Sequence, residues 1–404
     1  MEFVSLYKHF MMNNTSDFEV IYKQRFNSDS SLKFDIFINN FQSFFVYDVN
    51  VMSLVSRITE ADKRITDIFN ELPRIALSQY YRKSLIDEIE FTNQIEGVIS
   101  TRKDINDLII EIEKKIKTKN RFEGIVNKYL LLLDDKMSFK SSIDIRKLYD
   151  EMLASEIEKE DKSNLPDGTI FRKDAVSVYK TGERIVHNGV MPEEKIISYI
   201  DKALDILNDD DINALIRVAL FHYFFAYIHP FYDGNGRIDR FISSYVLKEN
   251  LNKVIGFRLS MTIKENLSEY LDAFVHTNDI RNRADITTFV YSFLDIVNKS
   301  YQKTELYALE RKGSLVHYKE IMQNIEGLSS SEKNVLYALI QCSLFGDFGI
   351  SKEQIEKYVN KKATYVSQAL TSLGKKGLYI TIRSGRHICY KANLDKLDLF
   401  GCGL

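Results

Sequence analysis

The 404-residue chain has no tryptophan, 17 glycines and 4 prolines. Glycine and proline make up about 5% of it, where ordinary usage gives roughly 12%. So few turn formers exclude an all-β sandwich or a glycine-rich α/β fold and leave long helices as the main material. Cysteine is equally scarce. Cys342, Cys389 and Cys402 lie near the C-terminus with no CxxC spacing and no histidine cluster beside them. That excludes a disulfide framework and a zinc site, and suits a reducing cytoplasm. Met1 to Asn14 contains no signal-peptide apolar region, and the longest apolar run, Val218 to Ile228, is eleven residues with His222 inside it. Such a run is too short to cross a bilayer, so the sequence predicts a cytoplasmic protein without a membrane partner.

The net charge of −2 implies no partner. Its distribution says more: Leu328 to Asn393 carries ten Lys/Arg against four Asp/Glu, so one end is locally basic. Apolar residues at 45% are enough for a packed core, and the length calls for two or three domains. The punctuation divides the chain into residues 1–129, helical; 130–300, a core with a turn-rich stretch; 301–327, a helical linker; and 328–404, a small turn-rich module.

Arg74 to Glu96 carries Leu77, Tyr81, Leu85 and Ile89 at steps of four, with Phe91 and Ile95 beside them, and Gly97 follows as a helix-ending glycine. Residues 32–48 are too irregular to assign. Alternation around 176–187 predicts a short hairpin, followed by a helix over 193–207. Residues 212–229 are apolar nearly all round and predict a central buried helix that Pro230 must end or kink, with a second helix from Asn235 to about Lys248. Its aromatics Phe221, Tyr223, Phe224, Phe225 and Tyr227 read as core, and His222 as a satisfied core histidine. In the last module, helices over 331–343, 351–359 and 363–375 precede a strand, turn and strand over 378–390. That is the outline of a winged helix-turn-helix.

The densest chemical signal is His229-Pro-Phe-Tyr-Asp-Gly-Asn-Gly-Arg-Ile-Asp-Arg240. Gly234 and Gly236 at a helix start let backbone N–H groups converge on an anion, and the helix dipole adds to the attraction. Arg237 and Arg240 lie on one face of the first turn, where two guanidinium forks suit phosphate oxygens. Asp233 offers a hard oxygen ligand for Mg²⁺, and His229 is the group able to take a proton near neutrality. Base, metal ligand and anion cradle within twelve residues describe phosphoryl or nucleotidyl transfer.

These twelve residues fit every fixed position of the Fic motif, H-x-F-x-[D/E]-G-N-G-R-x-x-R, and the chain resembles that family over about residues 130–298. The resemblance implies a mostly α fold: a Fic-type helical core with a short β-hairpin flap, plus the C-terminal winged-helix domain. It implies an ATP:protein adenylyltransferase that moves AMP to a Tyr, Thr or Ser hydroxyl and releases pyrophosphate. His229 would be the base, and Asp233 would hold Mg²⁺. The backbone of Gly234 to Gly236, Asn235 and Arg237 would cradle phosphates. Phe231 would anchor the loop in the core. Thr92-Asn-Gln-Ile-Glu96-Gly97 resembles the family's inhibitory pattern [S/T]-x-x-x-E-[G/N]. Thr92 and Glu96 share a helix face, so Glu96 would pair with Arg240, the arginine expected to hold the γ-phosphate.

The hairpin resembles the family's flap, with Ile185, Val186 and His187 as contacts to a target segment, and Tyr270 and Asn278 are carried over to the adenine pocket. Lys361, Lys362, Arg383 and Arg386 are the expected DNA contacts of the C-terminal module, which could equally serve protein docking or a homodimer. Two alternatives remain open: a DNA-binding regulator whose Fic core senses nucleotide, and an enzyme acting mainly to remove AMP.

Overall fold

A computed structural model describes residues 4–12, 15–118, 120–132, 136–180, 184–384 and 387–401. Along the chain run α1 (Leu6–Met12), α2 (Thr15–Phe26), strands β1 (Ser31–Ile38) and β2 (Phe41–Val46), α3 (Val49–Asn70), α4 (Arg74–Ile95), α5 (Arg102–Glu113), α6 (Glu123–Leu131), α7 (Ser142–Tyr149) and α8 (Ser155–Asp161). A π-helical turn, Asp150–Ala154, joins the last two. Then come β3 (Ser177–Lys180), β4 (Arg184–Asn188), α9 (Glu193–Leu207), α10 (Ala214–Ile228), α11 (Asn235–Asn250), α12 (Lys253–Gly256), α13 (Leu259–Glu265), α14 (Leu267–Asn278) and the 38-residue α15 (Thr287–Asn324). The chain closes with α16 (Ser330–Phe345), β5 (Ile350–Ser351), α17 (Lys352–Val359), α18 (Ala363–Lys375), β6 (Tyr379–Ser384), β7 (His387–Ala392) and α19 (Leu394–Gly401). The fold is mostly α, as the scarcity of glycine and proline implies.

Two compact units emerge. The first comprises residues 1–62, 88–100 and 117–301, the second residues 63–87, 101–116 and 302–404.

In the first unit α10 is the axis. Eleven of its fifteen residues are buried, so it packs on nearly every side, which a sequence apolar except at Arg217 and His222 requires. Asn213 caps its start by accepting from Leu215 N at 3.0 Å. The helix α9 matches the expected 193–207, and α11 begins at Asn235 as read. The stretch left unassigned at 32–48 is a β-hairpin: β1 pairs antiparallel with β2, turning at Asn39 and Asn40, both with positive φ. Two consecutive left-handed residues are what a two-residue hairpin turn demands, and asparagine is among the few that tolerate them.

In α4 the regular four-step apolar strip is only part of the buried surface. Residues 84–89 are all buried, including the polar Ser84, Asp87 and Glu88, and Thr92 and Asn93 follow them inside. The amphipathic reading fails in this half of the helix: Asp87, Glu88, Thr92 and Asn93 have polar partners inside the fold, and Ser84 is buried with them.

In the second unit, capping boxes start α16 at Ser329 and α17 at Ser351. Strands β5, β7 and β6 form one antiparallel sheet in that order. Glu332 on α16 accepts from Ser372 at 2.7 Å and Lys376 at 2.9 Å, which ties α18 and its end to α16. The hydrogen bonds of Ser329, Ser372 and Lys376 hold its carboxyl down to about 2.

Among the described residues no helix is long and apolar enough to cross a membrane.

Candidate functional site

The site is built where α10 ends. His229 closes the helix in the left-handed conformation, φ 55°, its N–H donating to Phe225 O. A non-glycine residue at positive φ is a strained choice that the surroundings must hold. Arg172 does much of that holding. This fully buried guanidinium donates to His229 O at 2.8 Å, to Val190 O at 2.9 Å and to Asp174 O at 2.6 Å. Its bond to His229 O, with a longer one of 3.4 Å to Ile228 O, satisfies carbonyls that the end of the helix leaves open.

Pro230 and Phe231 then turn the chain. Phe231 is fully buried, stacked on Tyr149 with ring centroids 4.0 Å apart and edge-on to Phe171 at 5.4 Å. It is the expected anchor. Asn235 closes the loop from within: its Oδ1 accepts from Phe231 N at 2.9 Å and its Nδ2 donates to Phe231 O at 2.8 Å. Its side chain is therefore committed to the loop's shape, and only its backbone remains for an anion. Gly234, at φ 85°, sits where an added Cβ would come 2.7 Å from Leu153 Cδ1. Its conformation favours glycine there, and a side chain would also have to displace the buried Leu153.

The charged side chains follow from the helical spacing of α11. Arg237 is fully buried and donates from Nη1 to Glu156 Oε1 at 2.8 Å. Among the described residues its Nε makes no hydrogen bond, and Nη2 has only Asp233 Oδ1 at 3.6 Å. Donors left open on a buried guanidinium suit an anion. Burial lifts the Glu156 carboxyl above its ordinary value, with Arg237 offsetting part of that. Asp233 keeps its side chain 37% exposed beside this arginine. One accessible carboxylate next to an anion loop fits Mg²⁺, which takes one or two carboxylates together with substrate oxygens and water.

Arg240 is engaged by the end of α4. Its Nη2 donates to Glu96 Oε1 at 2.7 Å and to Thr92 O at 3.0 Å, and its Nε to Thr92 Oγ1 at 2.9 Å. The expected pairing of Glu96 with Arg240 is present. Glu96, whose side chain is 26% exposed, stands directly over Gly236, where a Cβ would come 2.2 Å from its Oε1. Burial pushes the Glu96 pKa up, but Arg240, with help from Arg237, outweighs it and keeps the carboxyl below its usual value. Gly97 follows at φ 77°, ending the helix as read.

A cavity of about 480 Å³ opens between these groups. His229, Asn235, Gly236, Asp239 and Arg240 line one side, Glu96 intrudes into it, and Lys264, Tyr270 and Phe274 with neighbouring leucines form the rest. Burial together with the nearby His187 lowers the His229 pKa to about 4, so its ring is neutral at pH 7. Its Nδ1 faces Ala226 O at 3.3 Å. The tautomer that donates there leaves Nε2 with a lone pair.

Of the carried-over pocket residues, Tyr270 lines the cavity and its hydroxyl lies 2.7 Å from His222 Nε2. Asn278 is buried behind it, accepting from Tyr223 at 2.6 Å and lying 3.3 Å from His187 Nδ1. His187 is also held by Tyr227 O at 3.0 Å, so both of its ring nitrogens are engaged. The backbones of Ile185 and Val186 lie on β4, which pairs with β3 as a two-stranded sheet; their side chains lie outside the described residues. In the second unit Lys361, Lys362 and Arg383 are exposed. Arg386 lies outside the described residues.

Sequence reasoning missed Arg172, Glu156 and Tyr149. Arg172 acts on backbone carbonyls, which leave no pattern in a sequence. Glu156 and Tyr149 reach the loop only through the tertiary fold.

Residues 141–247 match the model of the Fic/DOC family, a stretch that includes the whole His229–Arg240 segment. A crystal structure of a Fic family protein from Desulfovibrio desulfuricans G20 superposes with a TM-score of 0.52 at 19% identity, covering 86% of this chain and 97% of that one. Fic-1 of C. elegans gives 0.41 at 20% identity, over 65% of this chain and 76% of its own. A Fic domain-containing signaling protein from Bacteroides thetaiotaomicron VPI-5482 gives 0.42 at 18%, over 65% and 96%.

Proposed function

We propose that the chain is a self-inhibited protein adenylyltransferase, transferring AMP from ATP to a Tyr, Thr or Ser hydroxyl of a target protein with release of pyrophosphate. One observation carries this reading: His229, Gly236 and Arg240 line a single cavity, and Glu96 stands in it on the arginine.

In the transfer, the target hydroxyl oxygen bonds to the α-phosphorus as the bond to the bridging oxygen of pyrophosphate breaks. The hydroxyl proton passes to His229 Nε2, which is neutral and free to accept it. The triphosphate's own charge raises the basicity of that ring relative to the empty site. Backbone N–H groups at the start of α11 and the open donors of Arg237 bind phosphate oxygens. Mg²⁺ on Asp233 would neutralise phosphate charge as pyrophosphate departs. The strand β4 offers backbone for a target segment to pair with.

Inhibition follows from competition for Arg240. With Glu96 on its Nη2, the guanidinium is not available to orient the γ-phosphate, and ATP binds without the alignment that transfer needs.

Incubation with labelled ATP and Mg²⁺ tests the reading. Glu96→Gly is expected to raise labelling of the protein or of lysate proteins on the order of ten- to hundredfold, the factor equivalent to one charge-assisted hydrogen bond. If Glu96→Gly labels nothing more than wild type does, and His229→Ala changes nothing, the proposal fails.

A second reading concerns the last module. The helix α18 presents Ser367, Gln368, Thr371 and Lys375 along a shallow groove, with Lys361 and Lys362 exposed ahead of it. A winged helix-turn-helix would use such a face on DNA. The Lys361→Ala/Lys362→Ala double variant is expected to weaken a salt-dependent gel shift and lower its salt slope by about two. Absence of any shift at low salt would remove this reading.

A further inference from the structure

Glu88 lies eight residues before Glu96 on α4, with Thr92 midway between them. Steps of four bring the three side chains onto one face. Thr92 and Glu96 reach Arg240, but Glu88 reaches something else. Its Oε2 accepts from Ser260 N at 2.8 Å, and its Oε1 from Ser260 Oγ at 2.5 Å and Ser244 Oγ at 3.2 Å. Ser244 lies on α11 and Ser260 in the first turn of α13. The carboxylate is fully buried, and so are both serines. A second contact joins the same two elements: Lys264 Nζ on α13 donates to Gln94 O at 3.3 Å, near the last turn of α4.

A fully buried carboxylate is costly, and it is kept where its bonds fix one arrangement over its neighbours. Sliding or rotating this helix by one residue would strand Glu88 without its three donors, a penalty that apolar packing would not impose. That same slip would carry Glu96 off Arg240. We propose that Glu88 is the positioning residue of the inhibitory segment, pinning the last two turns of α4 to α11 and α13 so that Glu96 stays on Arg240. The proposal rests on the self-inhibited transferase reading and assigns its control to a residue two turns before Glu96. Burial also pushes the Glu88 pKa up to about 7, with Ser260, Ser244 and the charge of Arg240 opposing it.

The test compares labelling from ATP and Mg²⁺ by wild type, Glu88→Gln, Glu88→Ala, Glu96→Gly and the Glu88→Ala/Glu96→Gly pair. Glu88→Ala is expected to raise transfer on the order of fivefold, and Glu88→Gln less, because its amide oxygen still accepts. In the Glu96→Gly background Glu88→Ala should add nothing, since the group it positions is gone. A merely structural residue would instead lower transfer in both backgrounds. Hydrogen exchange supplies a readout independent of turnover: amides of residues 92–97 should exchange faster in Glu88→Gln while those of α10 do not change. The latch is overturned if Glu96→Gly transfers above wild type while neither Glu88 variant does and residues 92–97 stay protected. If Glu96→Gly itself shows no gain, the inhibited-transferase reading fails first and the latch falls with it.

Discussion

The middle and the end of α10 each hold a histidine, and the two environments differ in ways that separate packing from chemistry. His222 sits inside the helix, fully buried, with Nδ1 2.8 Å from Ser243 Oγ and Nε2 2.7 Å from Tyr270 OH. His229 sits one residue past the last helical turn, in a left-handed conformation, with one nitrogen on a backbone carbonyl and the other facing a cavity. Burial lowers the pKa of both. Residue type and pKa direction therefore do not distinguish them. A ring nitrogen without a hydrogen-bond partner among the described residues does, and the end of the helix beside the cavity gives it room.

The largest expected effect breaks the pair apart through activity. His229→Ala in the Glu96→Gly background should cut labelling by about 10²–10⁴-fold, the usual contribution of a general base, with little loss of stability. His222→Leu should do the reverse. It strands the Tyr270 and Ser243 hydroxyls in the core and should cost about 1–3 kcal/mol in denaturant unfolding. Equal activity losses in the two variants would erase the distinction.

The smallest effect concerns what the two share. His229 is lowered to about 4 and His222 well below its ordinary 6.5, so between pH 6.5 and 4 the unfolded chain takes up protons that the folded chain refuses. Stability should fall as pH drops through that window. The decline should be shallower in His229→Ala and in His222→Leu than in wild type. Identical slopes in all three proteins would contradict the lowered values.

The sequence made the helices legible for a physical reason. Where one face is apolar and the ends are marked by Asn213, Gly97 or Ser351, local rules and tertiary packing agree, and α9, α10, α11 and α17 fall where they were read. The motif from His229 to Arg240 was legible because backbone geometry, charge and anion chemistry all fit within twelve residues. The hairpin of β1 and β2 was not legible. Phe37 points to solvent where alternation wants a polar residue, and the turn signal was two asparagines without a glycine. The buried polar face of α4 was hidden more deeply. Glu88 looks like a solvent-facing residue until the fold supplies Ser244 and Ser260 as partners.

The two bonds from Asn235 to Phe231 tie the anion loop to itself across four residues, and Phe231 is wedged between rings beneath it. The loop's shape is thus fixed by the protein's own bonds and packing, and an anion of the proposed kind would forfeit little conformational entropy on entering it. Such preorganisation limits how the site can be governed. Melting the loop would mean unpacking the core, so under the proposed self-inhibition control would act through tenancy: whatever stands on Arg240 first would decide what the cavity can do.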